Sequence, residues 1–321
     1  MKKQGGVQPS EIRIDYIHDR SVIIAPGRSK RPHDFETHSM PTGVPASECV
    51  FCRGNLEKVK ALDVVGPRNK WQLISLKNVF PVVSPDFPKA YGHQEVIVET
   101  PEHDVELAEL PVEQFEKLIG LYAKRSNALS ADKKIRYILI FKNNGGRAGA
   151  SINHAHSQVF ASTFLPPHIQ DKLTRAQEYR IRYGRCYYCD LWRKEVKGPR
   201  RIINDGTFTA FAPYASSYNY EAWLISKRHV DNVEQLTGEE RRDMAKMLKR
   251  LLERLAVAKI PYNFYLHQDI VYPDEHFYLR IAPRRDVWAG MELGSRLIVN
   301  TVAPEEAARF YREVKTTKKT G

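Results

Sequence analysis

The segment NNGGRAGASINHAHSQVFAS, residues 143–162, sets His154 and His156 one residue apart, with Gln158 next in the same alternation. In a strand, residues two apart project to one side, so these three side chains form a polar row, backed by Ala155, Val159 and Phe160. The glycines ahead of the row allow backbone to approach a ligand closely. A polar row beside such glycines points to a site that handles phosphate.

All four cysteines fall in two Cys-x-x-Cys pairs, Cys49/Cys52 in SECVFCRG and Cys186/Cys189 in GRCYYCDLW. Without a secretory leader such pairs are zinc ligands more often than disulfides, because a two-residue gap turns both thiolates toward one ion of tetrahedral preference. A redox role for the pairs ranks next. The pairs either join as one four-cysteine site or each recruit two histidines, and the spacing supports the second arrangement. His103 follows Cys52 by 51 residues and His154 follows by another 51; His229 follows Cys189 by 40 and His276 by a further 47.

The elements that must position these groups repeat in the same order. NVFPVVSPDFPKAYGHQEVIVETPEHDVELAEL parallels TFTAFAPYASSYNYEAWLISKRHVDNVEQL, as an internal duplication would produce. In the first half, WQLISLKNVFPVV and HQEVIVET read as strands, and PVEQFEKLIGLYAKRSNAL reads as a helix with Pro111 at its start. IRYILIFKNN is a buried strand with HAHSQVFAS as its antiparallel neighbour. In the second half, GTFTAFAPY and EAWLISKR are strands. Thr237 and Glu240 form a capping box opening a helix that turns Met244, Leu248, Leu251, Leu252 and Leu255 inward. YNFYLHQ and HFYLRIAPR complete the set, and a closing helix follows Pro304. The expected class is α+β: two tandem halves, 1–165 and 166–321, each an antiparallel half-barrel sheet with one major helix. LPPHIQDKLTRAQEYRIRYG reads as the link between them.

The chain's 321 residues suffice for one large domain or two ordinary ones, and 42% hydrophobic with 27% charged residues excludes a disordered polymer. No run of 18 apolar residues argues for a membrane span, and MKKQGGVQPSEIRID lacks the apolar core of a secretory signal, so the default expectation is cytoplasmic. The net charge of +12 favours anionic partners, although mixed-sign stretches such as EERRDMAKMLKRLLER read as solvated surface. A zinc-containing nucleic-acid-binding module would place its ligands within a short finger; here they span more than 100 residues in the first half, which disfavours it.

On these residues the chain resembles the histidine-triad superfamily, in its galactose-1-phosphate uridylyltransferase branch, over nearly its whole length. The second half also looks like the plant ADP-glucose phosphorylases. Gln158 stands where triad hydrolases carry a third histidine, and that difference marks the transferase branch. The resemblance implies that His156 is the nucleophile that forms a nucleotidyl-histidine, with Gln158 holding phosphoryl oxygens as a neutral amide. It implies a structural zinc on Cys49, Cys52, His103 and His154, and a second on Cys186, Cys189, His229 and His276. It further matches Asn143, Gly149, Ser151, Arg28 and Arg31 to phosphate contacts, Asn78 to the nucleotide side and Glu292 to hexose hydroxyls across a homodimer interface. Tyr278 replaces a histidine two residues after His276, so the iron site of the bacterial enzymes is not expected. RRDVWA, ahead of Gly290, departs from the usual uridylyltransferase segment, which leaves the choice of sugar open.

The activity expected from the resemblance is ping-pong transfer of uridylyl from UDP-glucose to galactose 1-phosphate. The alternative is ADP-sugar phosphorolysis, with inorganic phosphate as acceptor. No nucleic-acid or membrane partner is expected.

Overall fold

The computed structural model describes residues 9–30, 43–271 and 275–313. In chain order the elements are β1 (Glu11–Asp15), β2 (Arg20–Ile24), α1 (Arg53–Leu56), β3 (Ala61–Val65), β4 (Leu73–Lys77), β5 (Gly92–Val98), α2 (Val112–Ser130), β6 (Tyr137–Asn144), β7 (His156–Ser162) and α3 (Pro167–Tyr183). There follow α4 (Tyr187–Glu195), β8 (Arg201–Asp205), β9 (Phe208–Phe211), β10 (Ala222–Ser226), α5 (Gly238–Val257), β11 (Tyr262–His267), β12 (Tyr278–Pro283), α6 (Gly290–Ser295), β13 (Ile298–Asn300) and α7 (Pro304–Arg312).

Ten strands form one sheet in the order β3-β4-β5-β7-β6-β11-β12-β10-β9-β8. The second five mirror the first five in order, and β6 joins β11 at the centre with Phe141 opposite Tyr265. Every pairing in this sheet is antiparallel; α2 carries the chain from β5 to β6 across β7, α5 carries it from β10 to β11 across β12, and the class is α+β. β1, β2 and β13 make a separate small sheet.

Helices lie on both faces of the sheet, and the face opposite His156 and Gln158 is the apolar one. On one side, α2 presents Phe115, Leu118, Ile119 and Tyr122, and α5 presents Met244, Leu248, Leu251, Leu252 and Leu255, against Ile97, Ile140, Val159 and Phe264 of the sheet. Each such leucine contributes roughly 1.5–3 kcal/mol relative to an exposed position. The capping box of α5 forms as its sequence requires: the Thr237 side chain accepts from the Glu240 amide, and the Glu240 carboxylate accepts from the Thr237 amide. On the opposite side, Ile169 and Leu173 of α3 pack with Tyr137, Leu139 and Phe160, while Tyr188 of α4 and Ile17 cover Phe211, Trp223 and Tyr278.

Three local expectations change. The stretch read as a link is α3, whose Pro167 sits at a first-turn position where a missing N–H costs nothing. The strand in WQLISLKNVFPVV ends at Lys77; Val79, Phe80 and Val82 lie exposed in a loop carrying Pro81, Pro85 and Pro88. Phe160 lies on the same face as His156 and Gln158 rather than behind them, as the two-residue alternation of β7 demands. His154 itself precedes the strand. Among the described residues no helix is long and apolar enough to cross a membrane.

Candidate active site and metal-ligand clusters

Each cysteine pair meets two histidines. The ligand atoms of Cys49, Cys52, His103 and His154 lie within 4.8 Å of one another, and so do those of Cys186, Cys189, His229 and His276. Cys49 Sγ is 3.6 Å from His154 Nδ1, and Cys52 Sγ is 3.3 Å from His103 Nδ1. In the second cluster Cys189 Sγ is 3.6 Å from His229 Nδ1 and 3.5 Å from His276 Nδ1. A tetrahedron with metal–ligand bonds of about 2.0–2.3 Å has edges of about 3.3–3.8 Å, so the spacing fits.

The far side of the rings supplies a second argument. His154 Nε2 donates to the Thr100 carbonyl at 2.7 Å, His103 Nε2 to the Val44 carbonyl at 2.9 Å, and His276 Nε2 to the Ser226 carbonyl at 2.7 Å. A carbonyl accepts only, so each of these rings carries its proton on Nε2 and turns the Nδ1 lone pair toward the sulfurs. Burial and the neighbouring Cys49 push the Cys52 thiol up to about 11, a penalty that a bound dication relieves. Both clusters thus suit a tetrahedral cation with four protein ligands.

His156 opens β7 two residues beyond His154, and its Nδ1–H donates to the His154 carbonyl at 2.8 Å. That bond fixes the tautomer and leaves a lone pair on Nε2. The ring is 6% exposed, and burial, with the Lys142 charge next, lowers its pKa to about 4. Phe51, between Cys49 and Cys52, packs on the ring at 5.1 Å between centroids. Below the strand, the wholly buried Lys142 ammonium lies 2.7 Å from Glu99 and donates to the His156 carbonyl at 3.2 Å. Burial opposes the Lys142 charge, but Glu99 and Glu106 together outweigh it and keep the ammonium protonated.

The other expected site residues fall in several places. Gln158 accepts from Gln94 Nε2 at 3.2 Å, and Asn78 lies beside it, its amide donating to the Gln94 carbonyl at 2.9 Å. Asn143 and Asn263 are bonded through their amides at 2.8 Å, and Asn263 also donates to the Ala148 carbonyl, seating the glycine loop on β6 and β11. Gly149 has φ +84°, a left-handed conformation that side chains disfavour. Ser151 lines a cavity of 370 Å³ with Cys49, His103, Asn153 and His154. Arg28 is exposed in the turn Pro26–Lys30, and Arg31 lies outside the described residues. Glu292 caps its own helix, accepting from the Ala289 amide at 2.9 Å. In the second half Tyr278 stands two residues after His276, as His156 stands two after His154 in the first, and is stacked between Trp223 and His267.

Residues 75–166 match the model of the galactose-1-phosphate uridyl transferase N-terminal domain. The chain is 31% identical to galactose-1-phosphate uridylyltransferase of Thermotoga maritima over 94% of its own length and 98% of the relative's. The chain belongs to the galactose-1-phosphate uridylyltransferase family. It is also 30% identical to ADP-glucose phosphorylase of Arabidopsis thaliana, over 97% of this chain and 94% of that one. A crystal structure of an Arabidopsis ADP-glucose phosphorylase with bound ADP-glucose superposes with a TM-score of 0.86 at 29% identity, covering 96% of this chain and 100% of that one. A uridylyltransferase structure gives 0.75 at 28% identity, covering 94% and 97%. These relatives make the chain a nucleotidyltransferase of the family.

Sequence reasoning missed Phe51, Gln94, Lys142, Glu99 and Asn263. Phe51 alone had a local signal, its position inside a ligand pair; the others come together only through strand register.

Proposed function

We propose that the protein transfers a nucleotidyl group from a nucleoside-diphosphate hexose to a phosphate acceptor through a covalent intermediate on His156. The single observation that carries this reading is the Nδ1–H bond from His156 to the His154 carbonyl, which leaves Nε2 as the only unprotonated nitrogen of a neutral ring. Nε2 attacks the α-phosphorus; an N–P bond forms while the bond from that phosphorus to the bridging oxygen breaks, and its electron pair leaves on the hexose 1-phosphate. The ring becomes an imidazolium, stabilised by the carbonyl that already accepts its Nδ1–H. An oxygen of the acceptor phosphate then attacks the same phosphorus, the N–P bond breaks, and its electron pair returns to Nε2, leaving the ring neutral. Gln158 holds phosphoryl oxygens as an amide that neither gives nor takes a proton, and Asn143, Gly149, Ser151, Arg28 and Arg31 complete the phosphate contacts.

Both clusters hold Zn²⁺ in this reading. Cys49, Cys52, His103 and His154 bind one ion, and Cys186, Cys189, His229 and His276 bind the other. With four protein ligands each ion is structural; it fixes the backbone that carries the nucleophile. The tandem halves 1–165 and 166–321 and a cytoplasmic setting accompany the reading. So does a homodimer, in which Glu292 reaches a hexose bound to the partner subunit; the exposed Met291 and Leu293 flank it.

Two donors fit. Uridylyl transfer from UDP-glucose to galactose 1-phosphate follows the activity in the names of several relatives. ADP-glucose phosphorolysis is favoured by the larger TM-score to ADP-glucose phosphorylase, 0.86 against 0.75. Incubating the protein with either sugar nucleotide, labelled at the α-phosphate, and trapping the phosphoramidate decides between them. His156→Gly is expected to lose the adduct and all transfer while keeping its metal; full transfer by that variant rules the reading out.

A further inference from the structure

The geometry points to Gln94 as a positioning residue that sets which way round the Gln158 amide stands. This rests on the proposed role of His156 and Gln158 and goes beyond it, by naming what orients the amide. On one face of the β5–β7 ladder, Val96 is opposite Gln158 and Gln94 is opposite Phe160, so Gln94 and Gln158 are diagonal neighbours on the face that carries His156. At that separation two long side chains meet and two short ones do not.

An isolated amide pair is ambiguous, because either group can present oxygen or nitrogen. Here the ambiguity is removed from outside. The backbone N–H of Val82, which can only donate, lies 2.8 Å from Gln94 Oε1. Gln94 must therefore turn its Nε2 the other way, and that nitrogen lies 3.2 Å from Gln158 Oε1. With its oxygen engaged by Gln94, Gln158 is left with its NH₂ group as the end free to face a ligand. An NH₂ group donates to phosphoryl oxygens, whereas an amide oxygen in the same place would repel them. The chain of constraint runs Val82 amide, Gln94, Gln158, phosphate.

The constraint also couples the amide to the loop between β4 and β5. The Gln94 main chain holds that loop as well: its carbonyl accepts from the Asn78 amide at 2.9 Å, while Asn78 Oδ1 accepts from the Phe80 amide at 2.9 Å. One residue thus clasps both ends of the turn 78–82 and aims Gln158. Val79 and Phe80, at 81% and 88% exposed, stand in this turn.

Two variants and one map test the assignment. In Gln94→Glu the introduced carboxylate still accepts from Val82 but can no longer donate, so Gln158 turns its NH₂ toward that carboxylate and its oxygen toward the phosphate. The rate of adduct formation in a single turnover is expected to fall about 100-fold, the effect of losing one aimed donor. KM, melting temperature and metal content stay near wild type. Gln94→Met is close in shape, frees Gln158 to rotate and is expected to cost only about tenfold, since the productive orientation remains accessible. A Gln94→Glu rate equal to wild type, or a Gln94→Met loss as deep as that of Gln94→Glu, overturns the proposal. A neutron structure of the deuterated wild-type protein reads the same point without activity: deuterons on Gln94 Nε2 facing the Gln158 oxygen are expected, and deuterons on Gln158 facing Gln94 refute it. Absence of any adduct in the wild type would instead count against the His156 mechanism and would leave the neutron result to judge the amide.

Discussion

The Phe51 ring lies 5.1 Å from the His156 ring, tilted by 54°, and Phe51 stands between the ligands Cys49 and Cys52. The turn proposed to bind an ion therefore also supplies the wall against which the His156 imidazole rests. The Cys/His cluster and His156 are linked twice, through His154 in the chain and through Phe51 in space.

Truncating that wall should cost precision rather than metal. Phe51→Ala is expected to slow adduct formation by about tenfold or more, because small displacements of a reacting group are expensive. Bound zinc, measured by mass spectrometry of the native protein, should be unchanged. A rate equal to wild type would show that the His154 link suffices alone.

The two clusters should differ in what their loss does. Cys49→Ser is expected to release one ion and abolish transfer. Cys186→Ser is expected to release one ion and lower the melting temperature while keeping most of the transfer rate, since its ligand His276 is followed by Tyr278 rather than by a nucleophile. Metal analysis beside single-turnover rates checks both; equal losses of rate would contradict the division of labour.

Beneath β7, Lys142 and Glu99 are 1% and 0% exposed and 2.7 Å apart. Removing one partner strands a charge in the interior, so Lys142→Met should destabilise the fold by about 3–5 kcal/mol. Adding Glu99→Gln should recover a large part of it. Denaturant titration of the single and double variants measures the coupling, and simple additivity would argue against a shared network.

Acid sensitivity has a local source at the start of α5. Arg228 and the Thr237 amide hold the Glu240 carboxyl below its usual 4.5. A carboxyl with a depressed folded pKa contributes stability that is present above the unfolded value and lost as pH falls through the folded one. Glu240→Gln should therefore melt lower than wild type at pH 6–7, with the gap closing as pH drops below about 4.5. A gap that stays constant with pH would rule out the titration.

How far the residues themselves announce this arrangement depends on the distance over which a signal acts. The Cys-x-x-Cys pairs, the Thr237–Glu240 box and the His-x-His-x-Gln alternation are local patterns, legible because a turn, a helix end or a strand imposes them within a few residues. The pairing of β6 with β11 carries no such mark; Phe141 and Tyr265 meet although 124 positions separate them. Helix α3 was obscured by its two leading prolines, and the β4–β5 loop by β-branched residues that its prolines keep from pairing. In the sequence Gln94 is one more polar position on a strand; only the fold sets Val82 and Gln158 on either side of its amide.

The joint between β6 and β11 also governs how the chain can be divided. Cleaving it after residue 165 would strip one long partner from each of two five-strand sets, baring a row of main-chain donors and acceptors on Tyr137–Asn144 and another on Tyr262–His267. Each fragment would then carry an adhesive rim matched to the other, and co-expressed fragments should find each other before either stays soluble alone. The ten-strand order thus contains a seam that neither five-strand set can leave open.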